Sequence, residues 1–275
     1  MLNKKIKRLI VPFSLVALIT IPSLASAEDG ENNTGALLND PSLTKSEVND
    51  LVELAAEKDA QLEEDLEKTQ KSGEFGILAD PDGLYYTISA TGYKQETGYW
   101  CGPASGRQSL SFHKTKSGSS TGLPSQTTLA SKMGTTTAGS TTTGIANGLN
   151  AYKSSFGFTG NPYVAADITN VSNPQATFET RIKGVLSKKT NAPVILIETK
   201  YLPRYNGHAI RHYNTVTGYS HDYNTGSKRV RTADPHFSSS YYGTYWNPLG
   251  TTSANGVFRA VYMADKNGTN MAMAY

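Results

Sequence analysis

An α+β domain is the fold class that this 275-residue sequence predicts. Apolar residues at helical spacing come early in the chain, and runs rich in Val, Ile, Thr and Tyr come late. No period of solenoid length recurs. Helices first and strands afterwards favour a helix packed on an antiparallel sheet. A hydrophobic content of 37% is enough to bury such a core and excludes wholesale disorder.

The first 27 residues are set apart from that fold. Lys4, Lys5, Lys7 and Arg8 form a basic start, residues 9–21 are largely apolar, and Ala25-Ser26-Ala27 is a small-x-small cleavage signature. This order reads as a secretory signal peptide, too short in its apolar run to span a bilayer comfortably. The expected mature chain begins near Glu28 and is extracellular, with no membrane contact after cleavage.

Charge divides the remainder. Residues 28–83 hold 16 acidic and 4 basic side chains, whereas residues 84–275 hold 18 basic and 7 acidic ones. The acidic block opens on cap and turn residues, Pro41 to Glu47. It continues with Leu51, Leu54, Ala55, Leu62 and Leu66 at roughly helical spacing, and Lys71-Ser72-Gly73 closes it. One amphipathic helix makes no core of its own. It is either a solvated spacer or a prosegment whose negative face docks on the basic domain.

Residues 84–275 carry the domain. Pro103 fits the first turn of a helix through residue 112, because its missing N–H has no intrahelical partner there. Residues 126–133, 143–152 and 174–186 also read as helices. Residues 193–198 read as a buried strand, and residues 210–219 alternate and end at Gly218. Residues 229–233 and 257–263 read as further strands.

Cys101 is the sole cysteine, which excludes a disulfide framework and a cysteine-rich metal site. It stands in Gln95-Glu96-Thr97-Gly98-Tyr99-Trp100-Cys101-Gly102-Pro103-Ala104-Ser105. At a helix start, orphan N–H groups and the positive dipole end favour a thiolate, the nucleophile of a cysteine hydrolase. The Cys101 N–H and the amide of Gln95 are candidate oxyanion donors. Five histidines are candidate bases. His208 and His212 are four apart, on one face of an extended strand and about 13 Å from each other, so alternation does not choose between them. Asp234, before Pro235 at the end of the next predicted strand, is a candidate to orient the base. His113 reads as a C-terminal cap residue of the first helix, and His221 and His236 read as surface turn residues.

Gln95 with Cys101-Gly102-Pro103-Ala104-Ser105, then His212 six residues before Gly218-Tyr219, then Asp234-Pro235, resembles the C-39-like cysteine peptidases. These belong to the papain-like superfamily and include the domains that process bacteriocin leaders. The resemblance covers roughly residues 85–266. It implies a papain-like α+β fold, with the cysteine on the N-terminal helix and the histidine and aspartate on the sheet. Carried over residue by residue, it makes Cys101 the nucleophile, His212 the base, Asp234 its orienter and Gln95 part of the oxyanion hole. No specificity for double-glycine leaders is carried over.

Other chemistry finds little support. Gly118-Ser119-Ser120-Thr121-Gly122 has the letters of a nucleophile elbow but sits in a Ser/Thr/Gly-rich loop rather than after a strand. No zinc-protease, phosphate-loop or dinucleotide motif occurs, and no cofactor or metal is expected. The Lys and Arg residues are scattered, which argues against nucleic acid and fits attraction to an anionic cell wall. Tyr241, Tyr242, Tyr245 and Trp246 are sheet packing or a cleft rim. The expected protein is a secreted monomeric cysteine peptidase acting on peptides or proteins. The alternatives are a cell-wall peptidoglycan amidase or endopeptidase, and a binding module on the same fold.

Overall fold

A reciprocal cap starts the first helix, α1 (Lys45–Lys71). The Thr44 amide donates to Glu47 Oε2 at 2.7 Å, and the Glu47 amide donates back to Thr44 Oγ1 at 3.3 Å, so two end groups satisfy each other. The computed structural model describes residues 35–71, 79–80 and 82–275. The signal-peptide reading falls on residues outside that set.

The elements that follow are β1 (Ala79–Asp80), β2 (Gly83–Thr87), α2 (Cys101–Ser117), α3 (Gln126–Lys132), α4 (Thr142–Asn150), β3 (Ala165–Ala166) and α5 (Pro174–Ser187). Then come β4 (Val194–Glu198), two short 3₁₀ turns at Thr199–Tyr201 and Pro203–Tyr205, β5 (Arg211–Asp222), β6 (Lys228–Asp234), β7 (Gly243–Pro248), α6 (Val257–Lys266) and β8 (Met273–Ala274). Among the described residues this is an α+β fold of six helices and one antiparallel sheet.

The twelve-residue β5 is the spine of the sheet. One edge pairs with β6, which pairs onward with β7. The other edge is shared: β4 pairs with its first half, Val194 opposite Thr215, and β2 pairs with its second half, Thr87 opposite Gly218. β4 shows why the apolar run at 193–198 lacks alternation. Val194 and Leu196 join one buried cluster with Leu110 and Leu149, while Ile195 and Ile197 join another with Phe178 and Val261. A strand buried on both faces has no polar side to show.

Helix α2 is fixed to β5 by two buried hydrogen bonds. Ser105 Oγ donates to the Tyr213 carbonyl, and Thr215 Oγ1 donates to the Ser105 carbonyl, both at 3.0 Å. Tyr213 and Thr215 are two apart, so both meet the same helix.

Two expectations change. Residues 257–263 form a helix rather than a strand. Val257, Phe258, Ala260, Val261 and Ala264 are buried at helical spacing in α6, and tertiary packing overrides the β-branched and aromatic composition. The strand at 210–219 continues past Gly218 to Asp222, with a register shift between Val216 and Gly218.

Helix α1 lies on the domain. Ala55 and Leu62 are buried against it, whereas Leu54 is half exposed and does not share the buried stripe. Arg181 of α5, 1% exposed, forks onto Asp59 with its Nε and Nη2, the latter at 2.8 Å. Lys58 Nζ donates to the carbonyls of Pro162 and Tyr275 at 2.7 and 2.6 Å. Burial pushes the Lys58 amine down to about 7, despite the neighbouring Asp59. No helix among the described residues is long and apolar enough to cross a membrane.

Candidate active site

Cys101 is the first residue of α2, and its side chain is fully buried. The preceding residue, Trp100, supplies no side-chain cap, and the first turn carries no acidic residue. The positive helix end is therefore left uncompensated at Cys101. Gly102 allows a close approach. A side chain there would collide with Ser140 Oγ, from the segment before α4.

The loop leading to Cys101 is clamped. The Gln95 amide donates to the Pro235 carbonyl at 2.7 Å, which ties this loop to the end of β6. Gln126, the first residue of α3, is buried and bonds both sides of Gln95: its Nε2 donates to the Lys94 carbonyl at 2.7 Å, and its Oε1 accepts from the Glu96 amide at 3.1 Å. The Gln95 side chain is buried too. Its Nε2 donates one N–H to the Thr97 carbonyl at 2.8 Å, leaving the second free of that bond.

β5 and β6 bring His212 and Asp234 together. An ionised carboxylate only accepts, so His212 Nε2 donates to Asp234 Oδ1, at 2.8 Å. Neither side chain has any exposed surface. Asp234 receives four further donors: the His236 amide at 2.9 Å on Oδ1, and the Tyr205 hydroxyl at 2.7 Å, Asn214 Nδ2 at 3.3 Å and the Arg204 guanidinium on Oδ2. Burial alone would raise this carboxyl. The charges of His212 and Arg204 and the hydrogen bonds prevail and hold it well below the usual carboxylate range.

Burial likewise works against the charged imidazole of His212. The Asp234 charge and hydrogen bond, joined by the neighbouring Cys101 thiol, outweigh it and lift His212 to about 9. With Nε2 committed to Asp234, Nδ1 is the nitrogen left to face the thiol, and it is buried with no hydrogen-bond partner. A buried thiol neighbouring a carboxylate-backed imidazole is an arrangement from which a thiolate can attack and an imidazolium donate.

The other histidines stand elsewhere. His208 precedes β5, and its ring stacks on Tyr241 with centroids 5.7 Å apart rather than on Asp234. His236 is not on the surface: it is 2% exposed, 5.5 Å from the His212 ring, and accepts from the Ser238 amide through Nδ1. Burial and the His212 charge push it down to about 4. His113 is not a cap either. It lies within α2, buried against Phe158 and bonded to the Tyr163 hydroxyl at 2.8 Å. The aromatic cluster splits. Tyr241 stacks on Tyr205 at 4.3 Å and Tyr245 faces the Arg204 guanidinium at 4.5 Å, so both steady the groups around Asp234. Trp246 instead meets Tyr85 on the sheet, 5.5 Å between centroids.

Residues 87–266 match the model of the Peptidase_C39 like family, a span that takes in Cys101, His212 and Asp234 and most of the chain. The chain belongs to the peptidase C39-like family. This family points to a peptidase, and the six helices and antiparallel sheet are compatible with a papain-like fold. No curated protein matches the chain. Gln95 lies within the matched span as well. Arg204, Tyr205, Asn214 and Gln126 escape sequence reading. Arg204 and Tyr205 sit in a 3₁₀ turn with no motif around them. Asn214 carried a usable signal, being two residues from His212 on an alternating strand and so on the same face.

Proposed function

We propose that this member of the peptidase C39-like family is a cysteine peptidase that hydrolyses peptide bonds with Cys101, His212 and Asp234. The observation that carries the reading is the buried 2.8 Å contact of His212 with Asp234, beside a thiol at an uncapped helix start. The Cys101 thiolate attacks the scissile carbonyl carbon, and the C=O π electrons move onto oxygen. The resulting oxyanion is received by the Cys101 N–H and by the Gln95 N–H not spent on Thr97. His212 gives its Nδ1 proton to the leaving amine as the C–N bond breaks, which leaves a thioester. Water then adds to the thioester carbonyl, its proton passing to His212, and the thiolate departs with the acid product. Asp234 stays ionised throughout and holds the ring.

The basic start and the Ala25-Ser26-Ala27 signature support secretion. The acidic excess of residues 28–83 over a basic domain supports a prosegment role for that block. The substrate is a peptide or protein, and the enzyme acts as a monomer.

The test is Cys101→Ala on the full chain, assayed on a peptide library with near-ultraviolet circular dichroism as the folding control. Loss of cleavage in a folded variant supports the reading, and cleavage at the wild-type rate overturns it. One observation favours a cell-wall substrate as a second reading. Tyr85, nearly half exposed, pairs with Trp246, and Arg229 lies over Trp246 at 6.0 Å. An aromatic and cationic sheet face suits an anionic glycan-bearing wall. Release of amines from purified peptidoglycan distinguishes an amidase or endopeptidase from a general peptidase.

A further inference from the structure

A short stretch of the chain itself packs beside the loop that leads to Cys101. Gly35 is pressed against the backbone of Tyr99, two residues before Cys101. Its φ of +87° and the collision that any side chain would make with the Tyr99 carbonyl leave room only for glycine. On the next side, the Ser140 amide donates to the Gly35 carbonyl at 2.7 Å, and the Leu37 amide donates to the Ser140 carbonyl at 3.1 Å. Ala36 thus forms a parallel β-bridge with Ser140, and it is buried in the same apolar cluster as Cys101. Across from these, the Leu37 carbonyl accepts from Asn270 Nδ2 at 2.8 Å and from Arg211 Nη2 at 3.4 Å, and Arg211 is the residue before His212. Ala36, Leu37 and Leu38 close one side of a cavity of about 330 Å³ whose other side is Ala209, Ile210 and Arg211.

These contacts run from the Cys101 loop, through Ser140, to the strand of His212. An extended segment held by its backbone against the loop that leads to the nucleophile and the strand that carries the base takes up main-chain partners that an extended peptide substrate would use. Ser140 also touches the Cys101 helix directly at Gly102, so its peptide group is fixed relative to the thiol. The fully buried state of Cys101 fits a site that is filled.

We propose that the peptide group of Ser140 is a binding subsite that reads the main chain of extended peptides, and that residues 35–40 of the same chain fill it and occlude Cys101. This rests on the peptidase reading for the identity of the competing ligand, but occlusion of the thiol does not depend on turnover. The segment acts as a tethered competitor, and substrate gains the subsite when the segment lifts.

Two full-chain variants test it. Gly35→Val forces a side chain into Tyr99, and Leu37→Pro removes the N–H given to Ser140. Both should raise the rate of Cys101 alkylation by iodoacetamide by about tenfold or more, because a local opening limits access in the wild type. The apparent KM for a peptide should fall by a similar factor with kcat unchanged. Hydrogen exchange at the Ser140 amide should speed up in step. Alkylation at the wild-type rate in both folded variants overturns the occlusion. Faster alkylation with KM unchanged overturns the subsite. Faster alkylation with no cleavage of any peptide leaves the occlusion standing and sinks the peptidase reading instead. Should either variant misfold, exchange in the wild type decides: a Ser140 amide released only by global unfolding overturns the proposal, and release at a lower cost than the β4 and β5 amides supports it.

Discussion

His212 Nε2 lies 2.8 Å from Asp234 Oδ1, and neither side chain is reached by solvent. Replacing Asp234 by Asn keeps the shape and removes the charge that keeps His212 protonated. Activity should fall by about a hundredfold or more, since the imidazole loses both its orientation and its electrostatic support. The alkaline limb of kcat/KM, expected near 9 in the wild type, should move down toward the ordinary histidine range. A full pH–rate profile of both proteins checks this, and an unmoved alkaline limb would sever the link between Asp234 and the reacting proton.

The two candidate bases separate in a single experiment. His212→Ala should lower kcat/KM by about a thousandfold, the scale of a lost general acid–base group. His208→Ala should cost little, because its ring packs on Tyr241 and not on Asp234. The reverse ranking would reassign the base.

The same pair makes stability depend on pH with a defined sign. His212 holds its proton more tightly when folded, so its contribution is full below about 6.5 and is lost as the pH rises through about 9. The Asp234 carboxyl is held low, so its contribution is full above the usual carboxylate range and is lost as the pH falls through its lowered value. The pair therefore stabilises most between about pH 4 and 6.5. Urea midpoints measured across pH should show both slopes, and Asp234→Ala should flatten both.

What could be read in advance follows from what is local. Pro103 two residues after Cys101 marks a helix start because proline is tolerated in the first turn. The pairing of two strands by a short turn brings Asp234 toward His212. What could not be read is long-range or averaged out. Arg204 reaches Asp234 from a 3₁₀ turn 30 residues away, and Gln126 holds the loop of Gln95 through bonds spanning 30 and 32 residues. His236 reads as a turn residue, yet Tyr205, Tyr241 and Phe237 rings enclose it. The helix at Val257–Lys266 is missed because β-branched and aromatic residues suit either structure, and packing decides between them. Net charge predicts attraction between the acidic block and the basic domain, but not that one buried arginine would focus it.

That arginine supports the last prediction. Arg181 is 1% exposed, and its ion pair among the described residues is with Asp59. The same Asp59 also accepts from the Tyr275 hydroxyl at 2.7 Å. Asp59→Ala thus leaves a buried guanidinium without its carboxylate, and should destabilise the protein by about 3 kcal/mol. A double change, Asp59→Ala with Arg181→Met, removes the stranded charge and keeps apolar volume, so it should recover much of that loss. Urea unfolding of the three proteins measures both effects. A cost below about 1 kcal/mol for Asp59→Ala, the level of a solvated surface pair, would mean that α1 is only loosely held and that its docking contributes little to the fold.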